Sequence, residues 1–140
     1  MASMVRDGPS ANADIALRFR SYEGIGIVNS LLHDMMFSYN DVTFDENTST
    51  VSLHFDINPT LARDRVSRRI LKKVGFAPPS AWILELNHVI NMTMHDPDRL
   101  IMHSFNRMTM SDSHVLTLNT NEIGDIKFEC EALDGIMYTP

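Results

Sequence analysis

A single cysteine, Cys130, excludes an intrachain disulfide and a thiolate zinc cage. No apolar run approaches the roughly 20 residues that a spanning helix needs, and the N-terminus lacks the charged-then-apolar order of a signal peptide. These absences predict a cytoplasmic protein without membrane contact. Internal repeats and low-complexity runs are also missing. There is no glycine-rich phosphate loop and no Gly-x-Ser-x-Gly elbow, so phosphate cradling and Ser/His/Asp hydrolysis lack their usual frames. Gly24-x-Gly26 follows a possible strand, but the third glycine of a dinucleotide fingerprint is absent and hairpins follow in place of a βαβ unit. Nothing in the composition implies a cofactor.

What the chain has is alternation. From Trp82 to Met94 the even positions are Trp82, Leu84, Leu86, His88, Ile90, Met92 and Met94, while the odd positions are mixed. This period of two is that of a half-buried strand. Thirteen residues would extend about 40 Å, far beyond a usual strand, so a bend is expected near His88, the one polar group on the greasy face. With 140 residues, 44% hydrophobic and 21% charged, the chain has material for one core. A flexible tail over residues 1–13 and a single domain over 14–140 are expected, because Met1 to Ala13 are small and polar around Gly8-Pro9-Ser10.

Ile15, Leu17 and Phe19 alternate as a first strand, and Ile25, Val28, Leu32 and Met35 mark one face of a helix. Val42 and Phe44 lead through Asp45-Glu46-Asn47-Thr48 into Val51, Leu53, Phe55 and Ile57, a hairpin. After Asn58-Pro59-Thr60, a second helix is predicted over residues 61–74, with Ala62, Val66, Ile70 and Val74 four apart. The long strand follows. His95-Asp96-Pro97-Asp98 is a turn by composition, and Leu100 to Met110 returns with a bulge. Val115 to Thr120 and Ile126 to Leu133 complete the pattern. The predicted fold is α+β: an antiparallel sheet of about seven strands, curled or sandwich-like, with two helices.

Half of the basic side chains fall on the predicted second helix. Arg63, Arg65, Arg68, Arg69, Lys72 and Lys73 stand against Asp64 alone, a net +5 in a chain whose total is −6. Such a stripe suits phosphates, an anionic membrane or an acidic protein surface, or it pairs with the acidic sheet beside it. Nucleic acid is disfavoured, because aromatic interleaving is missing. Ten methionines are many for this length, and Met92, Met94, Met102, Met108 and Met110 gather on one predicted hairpin. They fill irregular cores or make adaptable recognition surfaces. Cys130 alternates with Ile126 and Phe128 on an inward face, where a thiol is inert.

His33-Asp34 and His95-Asp96 repeat a pair used by metal-dependent phosphohydrolases, and His54, Glu85, His103 and His114 would meet if strand register brought them to one face. No catalytic or metal residue is assigned from these spacings. The helix ending in Leu31-Leu32-His33-Asp34, the strand Val51-Ser52-Leu53-His54-Phe55 and the run Trp82-Ile83-Leu84-Glu85-Leu86-Asn87-His88-Val89 resemble small uncharacterised bacterial β-rich proteins related to toxin-immunity proteins. The resemblance spans residues 22–133, with the basic helix standing as an insertion. It implies a non-enzymatic binding or inhibitor protein that masks a toxin or effector. On this reading Arg63, Arg65, Arg68, Arg69, Lys72, Lys73, Met92 and Met94 carry binding. The alternatives are a small metal-dependent hydrolase using the His-Asp pairs and a homo-oligomeric structural or phage-type component, a homodimer for instance.

Overall fold

A computed structural model describes residues 16–57 and 80–140. The predicted basic helix and the N-terminal tail, with Arg63, Arg65, Arg68, Arg69, Lys72 and Lys73, lie outside the described residues. Alternation is expressed as ten strands and one helix in the described chain: β1 (Ala16–Phe19), α1 (Tyr22–Leu32), β2 (Met36–Phe37), β3 (Thr43–Asp45), β4 (Thr50–Asp56), β5 (Ala81–Leu86), β6 (Val89–His95), β7 (His103–Met110), β8 (Val115–Thr120), β9 (Asp125–Cys130) and β10 (Gly135–Tyr138). Every pairing is antiparallel, in the spatial order β1-β10-β5-β4-β2-β7-β8-β9-β6, with β3 also on β4.

The α+β class therefore holds, with more strands than the sequence pattern predicted. Three account for the difference. The two-residue β2 and the four-residue β10 are too short to show a period, and the long strand divides in two. Met36 and Phe37 of β2 pair with Asp56 on one side and with Ser104 and His103 on the other, joining two halves of the sheet. Those halves bury one shared core. Phe37 and Phe55 rings lie 5.0 Å apart, and Phe55 meets Phe105 edge-on at 5.7 Å and 87°.

Trp82, Leu84 and Leu86 of β5 are buried as the alternation demands. The strand then turns at Asn87-His88, where His88 has φ of 57°. Left-handed backbone at a residue with a Cβ needs external support. It is supplied by backbone bonds from Asn87 N to Asp134 O (2.8 Å), Val89 N to Ser49 O (2.9 Å) and Glu131 N to His88 O (2.9 Å). The bend expected near His88 is thus present, but its side chain is 55% exposed and does not lie on the greasy face. Beyond it the chain changes neighbours. β6 pairs with β9 and ends the sheet, so the second half of the long stretch is an edge strand rather than a central one. The methionine-rich hairpin is likewise corrected, because β7 pairs with β8 and β2 rather than with β6. Its expected irregularity appears as a register shift between Phe105 and Arg107.

Ser21 caps α1, its hydroxyl accepting from Gly24 N at 3.3 Å, and Ile25, Val28 and Leu32 are buried. Gly24 is needed for contact: a Cβ there would sit 2.5 Å from that of Phe19. Gly135 lies against the tip of the same ring, where a Cβ would stand 2.2 Å from Phe19 Cζ. The Gly-x-Gly of the sequence thus begins with a packing glycine.

The helix also seals an edge. Asp34 N donates to Phe105 O (2.9 Å), Phe105 N to Met35 O (2.8 Å), and the Asn29 amide bonds both backbone groups of Met108, donating at 3.0 Å and accepting at 2.7 Å. Asn29 stands in for a neighbouring strand. Because Met108 is buried, Asn29→Ala strands a donor and an acceptor. It is expected to cost about 1–2 kcal/mol in urea unfolding, with a matching loss of exchange protection at the Met108 amide.

Candidate functional site

The end of β6 is where polar and exposed apolar residues come together. After His95 the chain loops through Asp96 to Met102 before entering β7 at His103, which is fully buried. The His103 ring stacks on Tyr39 at 4.0 Å and 14°, and Nε2 lies 3.0 Å from Asp96 Oδ1. Asp96 also accepts from Leu100 N at 3.4 Å, and its carbonyl accepts from Arg99 N at 3.2 Å, so the loop is wound around the carboxylate. Nδ1 of His103 and the hydroxyl of Tyr39 make no hydrogen bond among the described residues. Burial raises the Tyr39 phenol above its ordinary value; the neighbouring Thr120 side chain lowers it, and the carboxylates of Asp96, Asp125 and Glu122 add to the rise.

A second network runs beside this pair. Ser104 donates to both oxygens of Glu122, from its backbone N at 2.6 Å and from its hydroxyl at 2.7 Å. Burial alone would raise the Glu122 carboxyl, but these two bonds and the charge of His103 outweigh it and hold the group below its ordinary value. Asn121 extends the network, donating to Ser104 Oγ at 3.0 Å and to Asp34 Oδ1 at 2.8 Å. The serine hydroxyl is committed to a carboxylate, and the imidazole carries no nucleophile on its free nitrogen. This geometry fixes loops. It does not present a charge-relay chain to a substrate.

Above the polar layer the surface is apolar. Leu100, Ile101 and Met102 are 38%, 79% and 40% exposed, and Ile123 is 70% exposed on the turn between β8 and β9. That turn lies against β6, since a Cβ on Gly124 would stand 2.8 Å from the carbonyl of His95. Met94, 39% exposed, continues the surface onto the strand, whereas Ile90, 58% exposed, is the bulged residue at the strand's other end.

No protein family, curated protein or solved structure matches the chain. Function therefore rests on this geometry.

Of the residues singled out from sequence, Met92 and Met94 sit on β6, Met92 half-buried against the core and Met94 exposed. The two His-Asp pairs take different partners. His33 Nε2 lies 3.3 Å from Asp34, which is bound to Asn121, whereas Asp96 is held by His103. His54 pairs with Asp56 on β4 at 3.2 Å and is exposed, whereas His103, close to it in register across β2, is buried on the other face with Phe37 and Phe55, and His114 turns with φ of 61° before β8. Among the described residues no group of three or more His, Cys, Asp or Glu is placed to hold a metal ion. Cys130 is buried, as its alternation predicted, and burial pushes its thiol up to about 11, which disfavours the thiolate. Among the described residues no helix is long and apolar enough to cross a membrane.

One cluster escaped sequence reasoning. Asp134, buried just before β10, accepts Arg18 Nε (3.0 Å) and Nη2 (2.9 Å), Arg20 Nε (3.2 Å) and the Asn87 amide (3.4 Å), with His88 Nε2 at 3.5 Å. Its signal was a lone carboxylate in the run Ala132-Leu133-Asp134-Gly135-Ile136.

Proposed function

We propose that this chain is a non-enzymatic protein-binding protein of the immunity type, which masks another protein by steric cover and charge complementarity. The observation that carries this reading is the exposed apolar surface of Met94, Leu100, Ile101, Met102 and Ile123 at the end of β6, beside a body rich in carboxylates. Isolated exposed apolar residues are ordinary, but three consecutive ones bordered by a fourth from a neighbouring turn favour an interface. The loop bearing them is tied down through Asp96, so its surface is held ready with little ordering cost on binding. Steering falls to charge, from the acidic sheet and from the basic run of Arg63, Arg65, Arg68, Arg69, Lys72 and Lys73.

The test begins with a partner that co-purifies with the chain from its own cells, followed by reconstitution from two purified components. Ile101→Asp with Ile123→Asp is expected to weaken that complex at least about ten-fold, as loss of a buried apolar anchor does. Reversing Arg65, Arg68 and Arg69 to Glu is expected to slow association and flatten its salt dependence. A complex indifferent to both sets of substitutions sinks the reading. A chain that binds only itself, seen as a dimer by light scattering, would favour the homo-oligomeric alternative.

A further inference from the structure

We propose that the outer edge of β6 is a strand-addition site for an extended, basic segment of a partner protein. This rests on the protein-binding reading above and names where and what such a partner would place. The backbone parity is fixed by two bonds. Cys130 N donates to His114 O at 3.0 Å, toward β8, so Cys130, Phe128 and Ile126 all turn their backbone groups that way. Their register partners on β6 are Val89, Met92 and Met94. Those three residues consequently point their N–H and C=O groups outward, away from β9. Val89 N is taken by Ser49 O at 2.9 Å. Met92 and Met94 have no backbone partner among the described residues, and they recur at the two-residue spacing that an added strand matches.

Among the described residues the edge also lacks the usual protection. The corresponding edge of β7 is closed by α1 through Asn29 and Met35. Within Val89–His95 there is no Lys, Arg or Pro, and the one bulge lies at the Val89 end, clear of Met92 and Met94. Edges left in this state pair with other strands.

Charge selects the occupant. The chain carries eighteen Asp and Glu against twelve Lys and Arg, and of the five basic side chains among the described residues two, Arg18 and Arg20, are bound to Asp134. Asn91, Thr93 and His95 on the exposed face of β6 lie opposite Glu129, Lys127 and Asp125 of β9, with Asp98 exposed just past the strand. A second copy would add the same Asn91, Thr93 and His95 at this edge and no Lys or Arg for those carboxylates. A basic strand would set Lys or Arg within reach of them, and its alternate apolar residues would lie on the side of Met92 and Met94.

The full chain, labelled with nitrogen-15, should be titrated with the acetylated and amidated heptapeptide Lys-Val-Lys-Val-Lys-Val-Lys and with its Glu-Val counterpart. Bound Lys-Val peptide is expected to slow exchange of the Met92 and Met94 amides by about ten-fold or more, while the Glu-Val peptide slows it less than about two-fold. Met94→Pro removes an outward donor without breaking the β9 ladder and is expected to abolish the effect. Should that variant unfold, Asn91→Lys with Thr93→Lys on the exposed face is expected to weaken the Lys-Val peptide at least about five-fold through repulsion. Equal protection by both peptides, or none by either, overturns the proposal. So does protection in the free protein that rises with its concentration, which identifies a second copy, or that is present at every concentration, which identifies the chain's own residues. If the co-purified partner instead protects α1 around Tyr22, Ile27 and Leu31, this proposal fails while the protein-binding reading stands.

Discussion

Asp134→Ala is expected to destabilise the protein by about 3–5 kcal/mol, the range found when one partner of a buried ion pair is removed. The Asp134 side chain is 8% exposed and Arg18 18%, so the cationic group left behind is nearly as buried as the anion that held it. Arg20 is 61% exposed, and its deletion should cost less than about 1 kcal/mol. The effect exceeds a pairwise contact because Asp134 joins three parts of the chain: β1 through Arg18, the segment before α1 through Arg20, and the corner between β5 and β6 through Asn87 and His88. Its loss should loosen β1 from β10 and release the left-handed backbone at His88. Urea unfolding of Asp134→Ala, Asp134→Asn and Arg20→Ala would check the order, and a cost for Asp134→Ala near that of Arg20→Ala would refute it.

The same residue sets an acid dependence. Burial raises the Asp134 carboxyl, but the hydrogen bonds and charges of Arg18 and Arg20 outweigh burial, and the folded value lies below the ordinary one. Glu122 is lowered too. As pH falls, the unfolded chain takes up these protons first, near pH 4, while the folded protein still refuses them. Their contribution is therefore full above about pH 5 and is lost as pH drops through the folded values. Asp134→Asn should be less stable than wild type at pH 7 and show a shallower decline below about pH 4. Parallel pH profiles would contradict that assignment.

Much of the fold was legible because burial on one face imposes period two, and β4, β5, β8 and β9 obey it residue by residue. The bend at His88 was legible from length alone. What lay beyond the pattern was which strand each half would meet: Trp82 and Leu84 face the neighbours of β5 in one half of the sheet, whereas Met92 and Met94 belong to the opposite edge of the other. Period two assigns faces and is silent on pairing. The same limit explains the candidate site. Met92 and Met94 were visible as an excess of methionine, yet their importance lies in backbone groups that only the register reveals. Asp134 and Asp96 each gain their roles from partners 116 and seven residues away, contacts that no local motif encodes.

Asp96→Ala is expected to cost about 2–3 kcal/mol because of what it leaves unpaired. His103 would keep its place against Tyr39, at a ring separation of 4.0 Å, with Phe37 at 6.2 Å, but with both nitrogens unpaired inside the core. His103→Phe removes those nitrogens and preserves a planar ring in the stack, so it should cost less than about 1 kcal/mol. In the His103→Phe background, Asp96→Ala should then cost only the loss of its weak bond to Leu100 N, also less than about 1 kcal/mol. The double-mutant cycle would thus return a coupling of about 1–3 kcal/mol, with chemical unfolding as the readout. Additive costs would show that the imidazole is satisfied by something other than Asp96. Because Asp96 also holds the loop that presents Leu100, Ile101 and Met102, the single variant should raise amide exchange across residues 99–102 most, whereas His103→Phe, which loses the anchor to β7 but keeps the bond to Leu100 N, should raise it less. Partner affinity should follow the loop rather than the global stability. Asp96→Ala would weaken binding through lost pre-organisation, and His103→Phe would weaken it less.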